Sequence, residues 1–530
     1  MCCRPGISVE MTSSKEIPVI DLFAGPGGLC EGFSSIFDEA GDRRFHVKVS
    51  IEKDPTAHKT LMLRSIFRQF SKGQAPQAYY DYIKGVIQRE AFFAHVDIKA
   101  AAERASREAR LCELGVTPSK DVDGWITDAL DGETDWVLIG GPPCQAYSLA
   151  GRSRMRKGNV EAFEQDKRHF LYQEYLRIIE RFEPAVFVME NVKGMLNSQH
   201  GGTSIFKRIL ADLSSPRAGL SYEVRSFVVA KDELDPKDYI IEADDHGVPQ
   251  SRHRVILFGI RSDVVEATTA LRETPKRFTL KKQKNRVSVE TALQGLPFLR
   301  SKLSQEPDSF AEWCKAVAES PKKLTGWRDD YRPLVEREMN EAIERLEWRT
   351  SSGQPFTERK MEFDASMPEE LKDWYADPRL GGVLQHETRS HMRSDLHRYM
   401  FAACYAKAVR ERPNLNHFPP KLAPNHANVG QEDKAAPFLD RFRVQMQGQP
   451  STTVVSHIAK DGHYYIHYDP SQCRSFTVRE AARLQTFPDN YYFEGTRTQQ
   501  YHQVGNAVPP LLARKIAEVV LDLMTAPRRA

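Results

Sequence analysis

The chain has 530 residues, 40% hydrophobic and 28% charged, a composition ordinary for a soluble globular protein with two or three domains and a sizeable core. Its formal net charge of +3 is too small to announce a polyanionic partner, so any such partner must be read from local clustering of charge. The eight cysteines form no C-x-x-C pair and no apolar run approaches the roughly 18 residues of a membrane span, which excludes a disulfide scaffold and points to a reducing, cytoplasmic setting without a membrane partner.

Taken in chain order, Ile17 to Phe23 has the continuous apolar pattern of a buried strand, and Ala24-Gly25-Pro26-Gly27-Gly28-Leu29 is a glycine turn that opens a helix. A second strand, Phe45 to Ile51, ends on Glu52. This is the opening of a doubly wound α/β domain, whose ligand belongs at the carboxyl ends of the strands. The glycines do not follow the dinucleotide fingerprint, yet they let backbone approach a nucleoside, and Glu52 can take two ribose hydroxyls. Residues 55–95 have the look of a helical insertion. After them, Val96-Asp97-Ile98 places another carboxylate behind a short apolar run. At a third strand end it could accept from an exocyclic amine; read alone, it is a helix N-cap before Lys99 to Glu103.

The strand-like run Trp136 to Ile139 leads into "GGPPCQAYS". Gly140-Gly141 permits a sharp turn, Pro142-Pro143 fixes two φ angles, and Cys144 is thereby held at a strand's end with little freedom. A structural cysteine needs no such mounting. The nearby Arg152, Arg154, Arg156 and Lys157 can raise the local positive potential or meet a phosphate backbone. A fourth apolar run, Glu183 to Met189, ends on Glu190. Finally, Gly247 to Arg254 runs into the strand Val255 to Ile260, and alternation places Arg252 and Arg254 on one strand face.

In order and spacing, "DLFAGPGG" at Asp21, the strand ending in Glu52, "VDI" at Val96, "GGPPCQAYS" at Gly140, "ENV" at Glu190, "GVPQSRHR" at Gly247, "RSFTVREAARLQTFPD" at Arg474 and "QVGNAVPP" at Gln503 resemble the C5-cytosine DNA methyltransferases. The resemblance implies a Rossmann-like, S-adenosyl-L-methionine-dependent catalytic domain with an inserted, smaller target-recognition domain. It implies methyl transfer to carbon 5 of a cytosine flipped out of double-stranded DNA. Cys144 would add to carbon 6, Glu190 would engage ring N3, Arg254 would contact the base and orient Glu190, and Arg252 would be a phosphate or loop partner. Phe23, Gly25, Gly28, Glu52, Asp97, Pro143, Leu171, Asn506 and Val508 would line the cofactor pocket. Gln145, Ser148, Arg152 and Arg154 would belong to a mobile loop closing over the DNA.

The motifs stop between 275 and 467, where the family keeps its recognition domain, and the catalytic parts are then 15–274 and 468–530. Within the insert, the acid-free bases from Lys276 to Arg286 and the basic-aromatic stretch His386 to Phe401 suit phosphate contact in an enzyme that holds DNA. His386, His391, His397, His417 and His426 lack paired-cysteine spacing, so no metal is expected. After "QVGNAVPP" an apolar stripe from Leu511 to Leu523 reads as a closing core helix. The expected partner is DNA, met as a monomer in the cytoplasm at the nucleoid, with a restriction or phage-defence system as the biological setting. Two alternatives stand beside this: a transfer-RNA cytosine-5 methyltransferase, disfavoured by the long insert, and a silent DNA-binding regulator, disfavoured because Cys144 and Glu190 are both present.

Overall fold

The computed structural model describes residues 16–143, 168–197, 199–200, 203–424, 439–460 and 462–529. Its centre is an eight-stranded sheet of β1 (Ile17–Leu22), β2 (Phe45–Glu52), β3 (Ala109–Leu111), β4 (Val137–Gly140), β5 (Val186–Val192), β6 (Tyr222–Ser226), β7 (Ile240–Glu242) and β8 (His253–Arg261). The strand order is β3-β2-β1-β4-β5-β8-β6, with β7 pairing the start of β8. The first five strands are parallel to one another and β8 runs antiparallel to β5 and β6. Chain order reverses between β1 and β4, and such a switch point opens a crevice at the carboxyl ends of the strands. Every residue of β1 is buried, as two-sided coverage of a parallel strand requires. Pro18 is tolerated because pairing with β4 begins only at Val19.

Alternation along the strands divides the core between two faces. Val19, Phe45, Val137, Val186 and Ile256 pack with Leu29 and Phe33 of the helix Gly28–Ser34 and with Leu512, Ile516 and Val520 of the closing helix Pro510–Met524. The opposite side chains, Ile20, Val49, Leu138, Phe187 and Leu257, meet Ile126, Ile178 and Phe206 from three further helices. The closing helix is therefore structural, as its stripe predicts.

Residues 55–95 are helical, in three segments: Pro55–Arg68, Gln77–Ile83 and Arg89–Ala94. Val96 to Ile98 differ from the strand-end expectation, for they begin a fourth helix, Val96–Glu108, on the buried stripe Ile98, Ala101, Ala102 and Ala105. The alanine-rich continuation favours helix, and the third strand follows it.

Within 275–467, the helices Phe310–Ala318, Arg332–Glu344 and Arg393–Val409 enclose Trp313, Trp327, Met339, Met400 and Phe401. A separate cluster joins Val289, Leu293, Val454 and Tyr465 to Phe476, Phe487, Tyr491 and Val504, so the insert is seated on the returning chain by apolar packing. Among the described residues no helix is long and apolar enough to cross a membrane.

Candidate active site

The crevice is walled first by the turn after β1. Ala24 N–H donates to Ile51 O at 2.9 Å, which ties the turn to β2. Phe23, Gly25 and Gly27 adopt positive φ of 60°, 57° and 99°, a geometry that glycine takes without cost and Phe23 only under constraint. Glu52, the last residue of β2, accepts from Gly25 N–H through Oε2 and from Asp54 N–H through Oε1, both at 2.7 Å. Burial pushes its carboxyl above the usual glutamate range. Each oxygen still has a second lone pair for a hydroxyl, and a Cβ at Gly25 would meet nothing within 4 Å. A ribose carried by a small cofactor fits this cradle.

Gly28 has another use. A Cβ there would lie 2.3 Å from Val508 O, so the glycine admits the backbone that precedes the closing helix. Val508 is buried, while Asn506, the last residue of the helix Arg497–Asn506, is exposed beside it. Leu171 is buried in the core with Leu22 and Tyr175. Pro143 is half-buried and closes the described stretch 16–143. Cys144, Gln145, Ser148, Arg152 and Arg154 lie outside the described residues.

Asp97 does not join this group as expected. It occupies the first turn of a helix with its side chain 59% exposed, and the N-cap is His95, whose ring accepts from Asp97 N–H at 3.3 Å. The strand end beside Glu52 is that of β3, where Leu111 pairs with Glu52 and Cys112 N–H donates to Glu52 O at 3.0 Å. The next residue is Glu113, 3.4 Å from Lys53 Nζ. Sequence reasoning missed it because β3 is three residues long and carries Arg110 at its centre, leaving no apolar run to find.

The other wall is built at the end of β5. Opposite Val192, Arg254 sits diagonally from Glu190 on the same sheet face, and its Nε lies 2.7 Å from Glu190 Oε1. Both side chains are mostly enclosed by elements of the fold, at 14% and 15% exposure. A Cβ at Gly141 would lie 2.9 Å from Glu190 Oε2, so the second glycine of "GGPPC" is the space into which the glutamate reaches. The carboxylate is thus brought against the backbone three positions before Cys144.

Arg252 is placed differently from Arg254. Gln250 and Ser251 pair in parallel with Ser451 and Thr452, and β8 begins only at His253, so Arg252 falls between two ladders instead of on a strand face with Arg254. It is 2% exposed, with Nη1 donating to Val454 O at 2.9 Å. Of its two expected roles, loop partner matches this placement; a solvent-facing phosphate contact does not.

Several basic side chains and histidines of the insert are engaged within the chain. Lys282 and Arg286 pair with Asp245 at 2.7 Å, and Arg277 with Asp522 at 3.3 Å. His386, Arg389, His391 and His397 are buried; His386 bonds to Thr477 Oγ1 at 2.8 Å and His397 to Ala316 O at 2.9 Å. Their polar atoms serve packing. His426 lies outside the described residues.

A family model described as C-5 cytosine-specific DNA methylase matches residues 115–522. Type II methyltransferase M.Bpa9945I of Bacillus paralicheniformis is 32% identical over 522 residues, covering 96% of this chain and 99% of that protein. Type II methyltransferase M.AgeI of Thalassovita gelatinovora is 28% identical over 510 residues, covering 94% and 98%.

Proposed function

The chain belongs to the C-5 cytosine-specific DNA methylase family, and from that premise we propose that it methylates carbon 5 of a cytosine flipped out of a specific double-stranded DNA sequence. The observation that carries the reading is the Glu190–Arg254 pair, held against Gly141 at the entry to the Cys144 segment. Carbon 5 of cytosine is a weak nucleophile. Addition of the Cys144 thiolate to carbon 6 makes it an enamine carbon, with Glu190 at ring N3 stabilising the charge that develops and Arg254 orienting the glutamate. S-adenosyl-L-methionine supplies an electrophilic methyl group when bound. Once carbon 5 is methylated, its proton leaves to a base and the Cys144–carbon 6 bond breaks, releasing the product.

Glu52 would hold the cofactor's ribose, Phe23 the adenine face and Gly25 the methionine end, with Asn506, Val508, Pro143 and Leu171 completing the wall. We assign the adenine amine to Glu113 in place of Asp97, because Glu113 follows the strand that pairs with Glu52. Flipping costs a few kcal/mol of unstacking, to be met by closure of the segment that contains Gln145, Ser148, Arg152 and Arg154. Residues 275–467 form the target-recognition region of this reading, between catalytic parts 15–274 and 468–530. The Type II names of the relatives support protection of host DNA in a restriction-modification system as the biological role.

Expressing the wild-type chain and Cys144→Ala in cells free of other cytosine-5 methylation, followed by methylation-sensitive sequencing, tests the reaction. The expected result is 5-methylcytosine in one sequence context with the wild type only; its absence there overturns the proposal. For the cofactor pocket, calorimetry with S-adenosylhomocysteine should show affinity falling roughly ten-fold in Glu113→Ala and staying within about two-fold in Asp97→Ala, the loss of one hydrogen bond against none. The reverse pattern restores Asp97.

A further inference from the structure

The antiparallel ladder of β7 and β8 sets Glu242 directly opposite His253, so their side chains stand on one face as a cross-strand pair. Asp244 follows two residues after Glu242, in the helical turn Ala243–His246. One donor atom from each of these three side chains lies within 4.8 Å of those of the other two. Asp244 is 1% exposed while Glu242 is open to solvent, which gives the cluster a buried floor and an accessible mouth. It stands apart from the Glu190–Arg254 pair, because alternation along β8 sends His253 and Arg254 to opposite faces.

The partners that the chain supplies leave these donors under-used. Asp244 Oδ2 accepts from Ser251 Oγ at 2.9 Å and lies 3.1 Å from Arg286 Nη1, yet Oδ1 is buried with no hydrogen-bond partner. A buried carboxylate oxygen left in that state is costly. No hydrogen bond joins the His253 ring to another described residue. Glu242 Oε2 is 3.7 Å from Arg286 Nη2, beyond hydrogen-bond reach. Arg286 is spent elsewhere: its Nε and Nη2 donate to Asp245 Oδ1 at 3.2 and 2.7 Å, and its side chain is 50% exposed. Lys282 goes to Asp245 as well, at 2.7 Å. The three carboxylates of Glu242, Asp244 and Asp245 therefore face two cations, and negative charge is left over at the cluster.

We propose that Glu242, Asp244 and His253 form a binding site for a divalent transition-metal ion of the manganese–zinc class, which ties β7 to the start of β8. The donor set selects the class. Two carboxylates and an imidazole suit a borderline ion, the imidazole disfavours magnesium and calcium, which take oxygen ligands, and the lack of a thiolate disfavours softer metals. Ligand atoms that share such an ion lie roughly 2.0–2.2 Å from it and thus up to about 4 Å apart, so small side-chain rotations close the present cluster around one. Coordination gives the unpartnered carboxylate of Asp244 the cation it lacks, and water fills the remaining positions at the open mouth. The site is independent of the methyl-transfer reading, since none of its three residues is assigned a part in that reaction.

The test uses the full chain, cleared of metal with a chelator and titrated with Mn²⁺, an ion that the cysteine thiolates do not favour. Free Mn²⁺ is counted by its electron paramagnetic resonance signal, and a thermal melt is run beside each titration. The wild-type chain should bind a single equivalent saturably, with a melting midpoint that rises as the site fills. His253→Ala and Glu242→Gln should each weaken binding at least roughly ten-fold, the low end of the loss seen when even an outer partner of a metal ligand is removed, and should abolish the rise in midpoint. Arg286→Ala, which takes a positive charge away from the site, should bind several-fold tighter. No saturable binding by the wild type overturns the proposal. Equal binding in the wild type, His253→Ala and Glu242→Gln means an adventitious ion only and overturns it too, as does weaker binding in Arg286→Ala. Should His253→Ala fail to fold, Glu242→Gln at the exposed end of β7 decides alone.

Discussion

A methyl group at position 141 would stand 2.9 Å from Oε2 of Glu190, closer than carbon and oxygen approach without one of them moving. The atom met is the free end of a flexible side chain, so the fold can accommodate Gly141→Ala and the glutamate cannot keep its place. We expect kcat to fall at least about ten-fold with a melting midpoint close to wild type, since small displacements of a catalytic group are costly. Kinetics beside a thermal melt checks this; an unchanged kcat would mean that Glu190 works from another position. Glu190, Arg254 and Glu52 were legible in the sequence because each follows or opens a clean apolar run. The place of Asp97 was not legible, because three residues of apolar-acidic-apolar pattern suit a helix start as well as a strand end, and the alanines after it favour the helix.

The helix Gly28–Ser34 packs on Pro510–Met524 so closely that a Cβ at Gly32 would lie 2.4 Å from both Ala513 Cβ and Arg514 N. A glycine-to-alanine change inside a helix ordinarily stabilises by up to about 1 kcal/mol, but forced overpacking costs about 1–3 kcal/mol. Gly32→Ala should therefore lower the melting midpoint, and a rise would show that the two helices separate easily. Elements with strong periodicity, the closing helix and the first two strands, were readable in advance. The insert was not. Its bases and histidines resemble a nucleic-acid surface in composition, but the partners that some of them find, Asp245 for Lys282 and Arg286, Asp522 for Arg277, and Pro297 O and Ala316 O for His386 and His397, come from distant parts of the chain.

At the scale of the molecule, the sheet holds an acid beneath the crevice. Asp21 is fully buried in β1, accepts from Cys30 Sγ at 2.7 Å, and burial pushes its carboxyl up to about 7. In the unfolded chain the same carboxyl titrates near 3.8, so the folded state binds the proton more tightly. The stability linked to this group is full below pH 3.8 and is lost as pH rises to about 7, where the buried charge must be carried. Asp21→Asn should flatten this part of the pH dependence of the melting midpoint and raise the midpoint at pH 8 relative to wild type. Identical pH profiles for the two chains would show that the carboxyl is already ionised when folded.

The contact of Gly28 with Val508, and of Gly32 with Ala513, joins the first helix of the described residues to their last. During synthesis the early strands leave the ribosome with that flank bare, and the wall is supplied only when the residues after Val508 emerge. The first helix therefore finds its packing partner only once residues 510–524 have been made, and this face of the core closes late in synthesis.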